Sequence, residues 1–124
     1  MIHRVRLAAG LLAALAAVLP ATVAAQGARP SMSVGWQWIN VSQSECITRI
    51  RAAYANLGWT DIANGDKFAK AHKGNFGSYT VCAPAKDGDM EVDIFIAYGG
   101  DDPNGDIAQG ERTRLQDEMK KSLR

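Results

Sequence analysis

The sequence predicts an α+β domain: a two-layer sandwich of about four antiparallel strands with two helices on one face, in the order β-α-β-β-β-α. Three observations predict it. Residues 90–98 alternate strictly, with Met90, Val92, Ile94 and Ile96 on one side and Glu91, Asp93, Phe95 and Ala97 on the other. Residues 42–57 read as a capped helix with an apolar stripe. Between them, Asn64-Gly65, Gly74-Asn75 and Asp87-Gly88 are turn dipeptides, because Gly and Asn tolerate positive φ, and short turns join strands antiparallel. An amphipathic helix buries its stripe against a sheet face, so two layers follow.

The elements follow in order. Residues 26–33 are polar and carry Gly27 and Pro30, which suggests a flexible lead-in to a single domain over 34–124. Residues 34–41 are β-like, with Trp36 and Trp38 on one side and Ile39 and Val41 on the other. Ser42 and Glu45 match a capping box, in which the hydroxyl accepts from an orphan amide and the glutamate reaches back to another. Behind it Cys46, Ile50, Ala53 and Leu57 recur at helical spacing, widened by Ile47 and Tyr54, until Gly58 supplies a left-handed stop. Glu45 and Arg49 add an i,i+4 pair. Further strands are expected near 61–63, over 67–72 and over 76–83, with Trp59 a packing anchor. A loop at 99–105 precedes a last helix from about Ile107 toward Leu123, with Asp106 and Gln109 as its cap and a thin stripe of Ala108, Leu115, Met119 and Leu123. Gly110 costs that helix about 1 kcal/mol, so its first turn is expected to fray or to begin later.

The N-terminus sets the compartment. Arg4 and Arg6 form a positive n-region, and the uncharged stretch 7–19 is shorter than the ~20 apolar residues a span needs. Small residues at 21–25, with Val23 and Ala25 flanking a cut before Gln26, complete a cleaved signal peptide over 1–25. No cysteine stands at the cut to carry a lipid, and no adjacent arginine pair marks a twin-arginine signal. The expected product is exported, periplasmic or extracellular, without a permanent membrane span. In such a compartment Cys46 and Cys82 pair, closing a loop of about 37 residues worth about 4 kcal/mol in the chain-entropy model. Two cysteines exclude an all-cysteine zinc site or a four-thiolate iron–sulfur cluster within one chain.

Loss of 1–25 leaves 12 basic and 13 acidic residues. The cations Arg49, Arg51, Lys67, Lys70, Lys73 and Lys86 are interspersed with acids, so no basic stripe for nucleic acid forms.

Chemistry-bearing groupings are few. Asp101, Asp102, Asn104 and Asp106 are acidic enough for an irregular calcium site, but no EF-hand frame fits. With Gly105 sixth the first position is Gly100, and with Asp102 first the glycine slot holds Ile107. A polar loop ending in a helix cap explains them better. His72 with Asp61, Asp66 or Glu45 can in principle form a general acid/base pair, as a small secreted hydrolase needs, yet nothing in the spacing brings them together. Glu91 and Asp93 share a strand face as a carboxylate pair or simply as a solvated surface. Nucleophile-elbow, phosphate-loop and dinucleotide glycine motifs are absent, and no cofactor is implied.

The aromatics divide two readings. If helices cover the side bearing Val92, Ile94 and Ile96, the other side carries Phe95 with Tyr79, and Trp36 and Trp38 can join them as an interface. A domain this small also needs core, which favours turning the tryptophans inward. The functional expectation is a small exported non-catalytic binding module acting on another protein through Trp36, Trp38, Tyr79 and Phe95. The plan is similar in outline to small exported proteins that inhibit hydrolases or confer immunity to toxins, an analogy at the level of fold alone. The alternative is the hydrolase using His72.

Overall fold

A computed structural model describes residues 27–121. The expected leader, its cut before Gln26, and Leu123 lie outside the described residues. The chain forms β1 (Ser31–Ile39), α1 (Gln43–Asn56), β2 (Thr60–Asn64), β3 (Phe68–Lys73), β4 (Phe76–Pro84), β5 (Met90–Tyr98) and α2 (Asp106–Lys121). It is α+β, with one antiparallel sheet ordered β1-β5-β4-β3-β2. The sheet has five strands rather than about four, because the short segment at Thr60–Asn64 pairs with β3 as an edge strand. Among the described residues no helix is long and apolar enough to cross a membrane.

Both helices lie on one face. α1 packs on β2, β3 and β4, while α2 packs on β1 and β5. The core between the layers gathers Ile47, Ile50, Ala53 and Tyr54 from α1, Val92, Ile94 and Ile96 from β5, and Ala108, Leu115 and Met119 from α2. Trp59 joins it as expected, tilted against Tyr54 and Phe76 at centroid separations of 5.5 and 6.2 Å. A disulfide joins Cys46 in the first turn of α1 to Cys82 in β4, both wholly buried. It staples helix to sheet as the sequence predicts.

α1 begins as expected, with Ser42 Oγ accepting from the Glu45 amide at 3.2 Å. Only that half of the capping box forms, since the Glu45 carboxylate accepts from Arg49 Nε at 2.9 Å. Gly58 stops the helix at φ 80°. Tyr54 carries a hydroxyl into the core, where it meets Ser78 Oγ at 2.7 Å and Thr80 Oγ1 at 2.8 Å. Those bonds satisfy three buried polar groups at once. Burial raises the Tyr54 pKa, against the lowering pull of the Ser78 and Thr80 bonds, so the phenol stays protonated.

β1 starts at Ser31, three residues before the expected boundary, and ends at Ile39, so Val41 falls outside it. Arg29 is tied to the loop before α2: its amide donates to Asp101 Oδ1 at 3.1 Å and its carbonyl accepts from the Asp102 amide at 2.9 Å. α2 runs unbroken through Gly110 from Asp106. The carboxylate that serves its first turn is Asp102, not Asp106. Its oxygens accept from the amides of Ile107 at 3.2 Å and Ala108 at 3.0 Å, and from Ser31 Oγ at 2.5 Å. That cap offsets the cost of Gly110. Gly35 has a separate reason to be glycine, because the Arg112 side chain lies across its Cα while donating to Ser33 Oγ at 2.8 Å.

Candidate binding surface

The register of the sheet decides which side chains share the uncovered face. Residues directly opposite in an antiparallel pair point the same way. β5 turns Val92, Ile94 and Ile96 to the helices, so Asp93, Phe95 and their cross-strand partners face outward. Val34 lies opposite Phe95, which lies opposite Tyr79, which lies opposite Lys70. The next row reads Trp36, Asp93, Val81 and Phe68, and beyond it stand Trp38, Glu91 and Ala83. On the other side of the first row are Met32, Ala97, Gly77 and His72.

Trp36 and Trp38 are therefore outside, at 59% and 61% exposure, with Tyr79 at 43% and Phe95 at 36%. The inward reading of the two tryptophans is overturned, and the core takes Gln37 and Ile39 from β1 instead. The physical reason is register: pairing with Asp93 and Glu91 commits both indoles to the face that β5 leaves polar. The structure brings all four expected binding residues onto one surface, to which it adds Met32, Val34 and Phe68.

Local packing orders these rings. Trp36 and Trp38 contact each other at a centroid separation of 5.1 Å, tilted by 45°. Phe68 stacks on Tyr79 at 5.0 Å, 16° from parallel. At the end of the face away from the tryptophans, the small residues Gly77 and Ala97 line a depression of about 270 Å³ together with Met32, Phe95, Tyr79, Lys70 and His72. Such a notch fits one side chain of an opposing surface rather than a free metabolite, for which pockets of ~300–1,000 Å³ enclosing most of the ligand are usual.

Charge on this face is uneven. Glu91 and Asp93 stand beside the tryptophans, while Lys70 and His72 stand on β3. The Asp93 carboxyl is raised above the ordinary carboxylate value, first by burial and then by the charge and hydrogen bond of Glu91.

The remaining candidates do not gather into a site. His72 is exposed on β3, and among the described residues no hydrogen bond or ion pair links its imidazole to Glu45, Asp61 or Asp66. Glu45 instead belongs to Arg49 on the helix side. In the acidic loop, Asp102 turns inward to cap α2 and Asp101 engages Arg29, which leaves Asn104 and Asp106 without them. Among the described residues no group of three or more His, Cys, Asp or Glu side chains is placed to hold a metal ion. The Asp102 carboxyl feels burial, which raises its pKa, but the bonds from Ser31 and from the amides of Ala108, Ile107 and Asp106 outweigh this and hold it below the usual value.

Sequence reasoning missed Phe68, whose outward position depends on β3 pairing with β4 in the register Phe68 to Val81. It also missed the buried Glu111, which accepts from Arg114 Nη1 at 2.7 Å and Lys73 Nζ at 3.4 Å and ties α2 to β3. Comparison of the chain with protein-family models, with curated proteins and with solved structures finds no match.

Proposed function

We propose that the protein is a small exported binding module without catalytic activity, which docks another protein on the open face of its sheet, in the manner of an inhibitor or immunity protein. One observation carries the reading: Trp36, Trp38, Tyr79 and Phe95 are exposed together on the sheet face that, among the described residues, no helix covers. Exposed tryptophan is costly to hydrate and is enriched at the anchoring centres of interfaces. β1, β4 and β5 each run nine residues, so with β3 they offer a plan area on the order of 500 Å² at the usual strand rise and spacing. Exposed aromatic and aliphatic side chains grouped on one face of a small protein mark an interaction site.

Docking is expected on the face rather than along the β1 edge. The Trp36 carbonyl already accepts from Gln116 Nε2 at 3.4 Å, so α2 reaches over part of that edge. Export is supported by the apolar leader in the sequence and by the Cys46–Cys82 bond, which persists in oxidising compartments. The hydrolase alternative asks for a base with an orienting partner, which His72 lacks among the described residues.

Photo-cross-linking tests the proposal. A benzophenone side chain at position 79 or 95, on the open face, is expected to yield a covalent protein adduct in the native source. The same group at 109 or 120, exposed on α2, is expected to yield none. Adducts of equal yield from both sides, or none from the open face, would overturn it.

A further inference from the structure

The corner of the open face nearest β1 has a chemistry of its own. Trp36 lies directly across from Asp93, and Trp38 directly across from Glu91, so two exposed indoles and two carboxylates form one square on adjacent strands. On their other side the cross-strand neighbours are Val81 and Ala83, which carry no charge. Among the described residues no cation is paired with either carboxylate; the five ion pairs there involve Asp101, Glu45, Glu111 and Glu118. Glu91 and Asp93 stand two residues apart on the same face of β5, so their negative charges reinforce each other. Past Trp38, the β4–β5 connection adds Asp87 and Asp89 around a concavity of about 510 Å³, with Lys86 as the one basic residue lining it. The other basic side chains of the face, Lys70 and His72, stand on β3, three strands from β1.

We propose that this corner receives a basic side chain of the docked protein, a guanidinium or an ammonium held against the Trp36 and Trp38 rings by Glu91 and Asp93. The inference rests on the reading of the open face as a docking surface and names the chemistry its partner presents. Charge complementarity selects the occupant. Indole is the strongest cation–π acceptor among the side chains, and a guanidinium can lie flat on it while its edge pairs with a carboxylate. An acidic partner would meet unshielded like charge. A saccharide can stack on the rings but leaves both carboxylates uncompensated.

The test uses the disulfide-bonded protein, isotopically labelled, and follows its indole N–H signals by NMR. The probe is the capped peptide Gly-Arg-Gly-Arg-Gly, with the Glu-for-Arg peptide and a glucose tetrasaccharide as comparators. The Trp36 and Trp38 signals are expected to shift with the arginine peptide alone, while the buried Trp59 signal stays fixed and reports an intact core. The E91Q/D93N double variant is expected to weaken binding at least tenfold, and E118Q to leave it unchanged. Unmoved Trp36 and Trp38 signals, an equal response to the glutamate peptide, preference for the saccharide, or undiminished binding by E91Q/D93N would each overturn the proposal. If cross-links from position 79 or 95 persist in such a case, the cation assignment falls alone. If those cross-links are absent, the docking reading falls and takes this assignment with it.

Discussion

Neighbouring residues of β5 live in opposite surroundings. Ile94 is sealed beneath the helices with no exposed surface, while Phe95, one position on, projects from a face that no described helix covers. The helix side is closed by every available means: apolar packing, a disulfide, a tyrosine bonded to two hydroxyls and a carboxylate that caps α2. The open side instead leaves two indoles exposed and, among the described residues, two carboxylates without a paired cation. Under the proposed reading the open face serves docking and the helix side serves the fold, and substitution separates the two roles.

The largest effect expected is at the staple. Replacing Cys46 and Cys82 together by serine should lower stability by about 4 kcal/mol, the loop-closure value for this spacing, read as a fall in the urea midpoint. Ile94→Ala should cost about 3 kcal/mol through lost burial and the cavity left behind, whereas Phe95→Ala should cost less than about 1 kcal/mol. Similar losses at the two positions would break the comparison between the faces. Tyr54→Phe should cost about 1–2 kcal/mol by depriving Ser78 and Thr80 of their buried partner.

Acid sharpens the contrast, because two aspartates respond with opposite sign. Asp102 has a native pKa below its unfolded value, so its contribution is complete above about pH 4 and is lost as pH falls through the depressed native value. Asp93 has a raised native pKa, so its ionised form opposes folding at neutral pH, an opposition relieved as pH falls through that raised value. Urea titrations at pH 7 and pH 3 should show D102N less stable than wild type at pH 7, the gap narrowing at pH 3, and D93N slightly more stable at pH 7. The smallest stability effect belongs to the tryptophans: W36A and W38A should each stay within about 0.5 kcal/mol of wild type, as exposed positions do, while weakening cross-linking at the open face.

Much of the helix side was legible from local pattern. β5 spans the expected residues because its alternation is strict, and α1 starts where Ser42 can accept an amide. The bond between Cys46 and Cys82 was expected because the leader implies an oxidising compartment and the chain holds only two cysteines, and their places on helix and strand told which elements it joins. The open side was harder, for a physical reason. β1 alternates between two sets that both contain large apolar residues, so composition alone favours burying the indoles. Only the pairing with β5, some 57 residues away in sequence (Trp36 with Asp93), settles the matter. The α2 cap was misassigned on the same grounds. Asp102 precedes the helix and Asp106 opens it, and the choice depends on Ser31, which lies 71 residues upstream of Asp102.

Hydroxyl-radical footprinting tests the central claim most directly, comparing the purified disulfide-bonded protein with the protein in its native source. Trp36, Trp38, Tyr79 and Phe95 should be oxidised readily in isolation and protected in the native setting, while Ile107, exposed in the first turn of α2, should react alike in both. Equal oxidation of the four rings in the two settings would contradict the account.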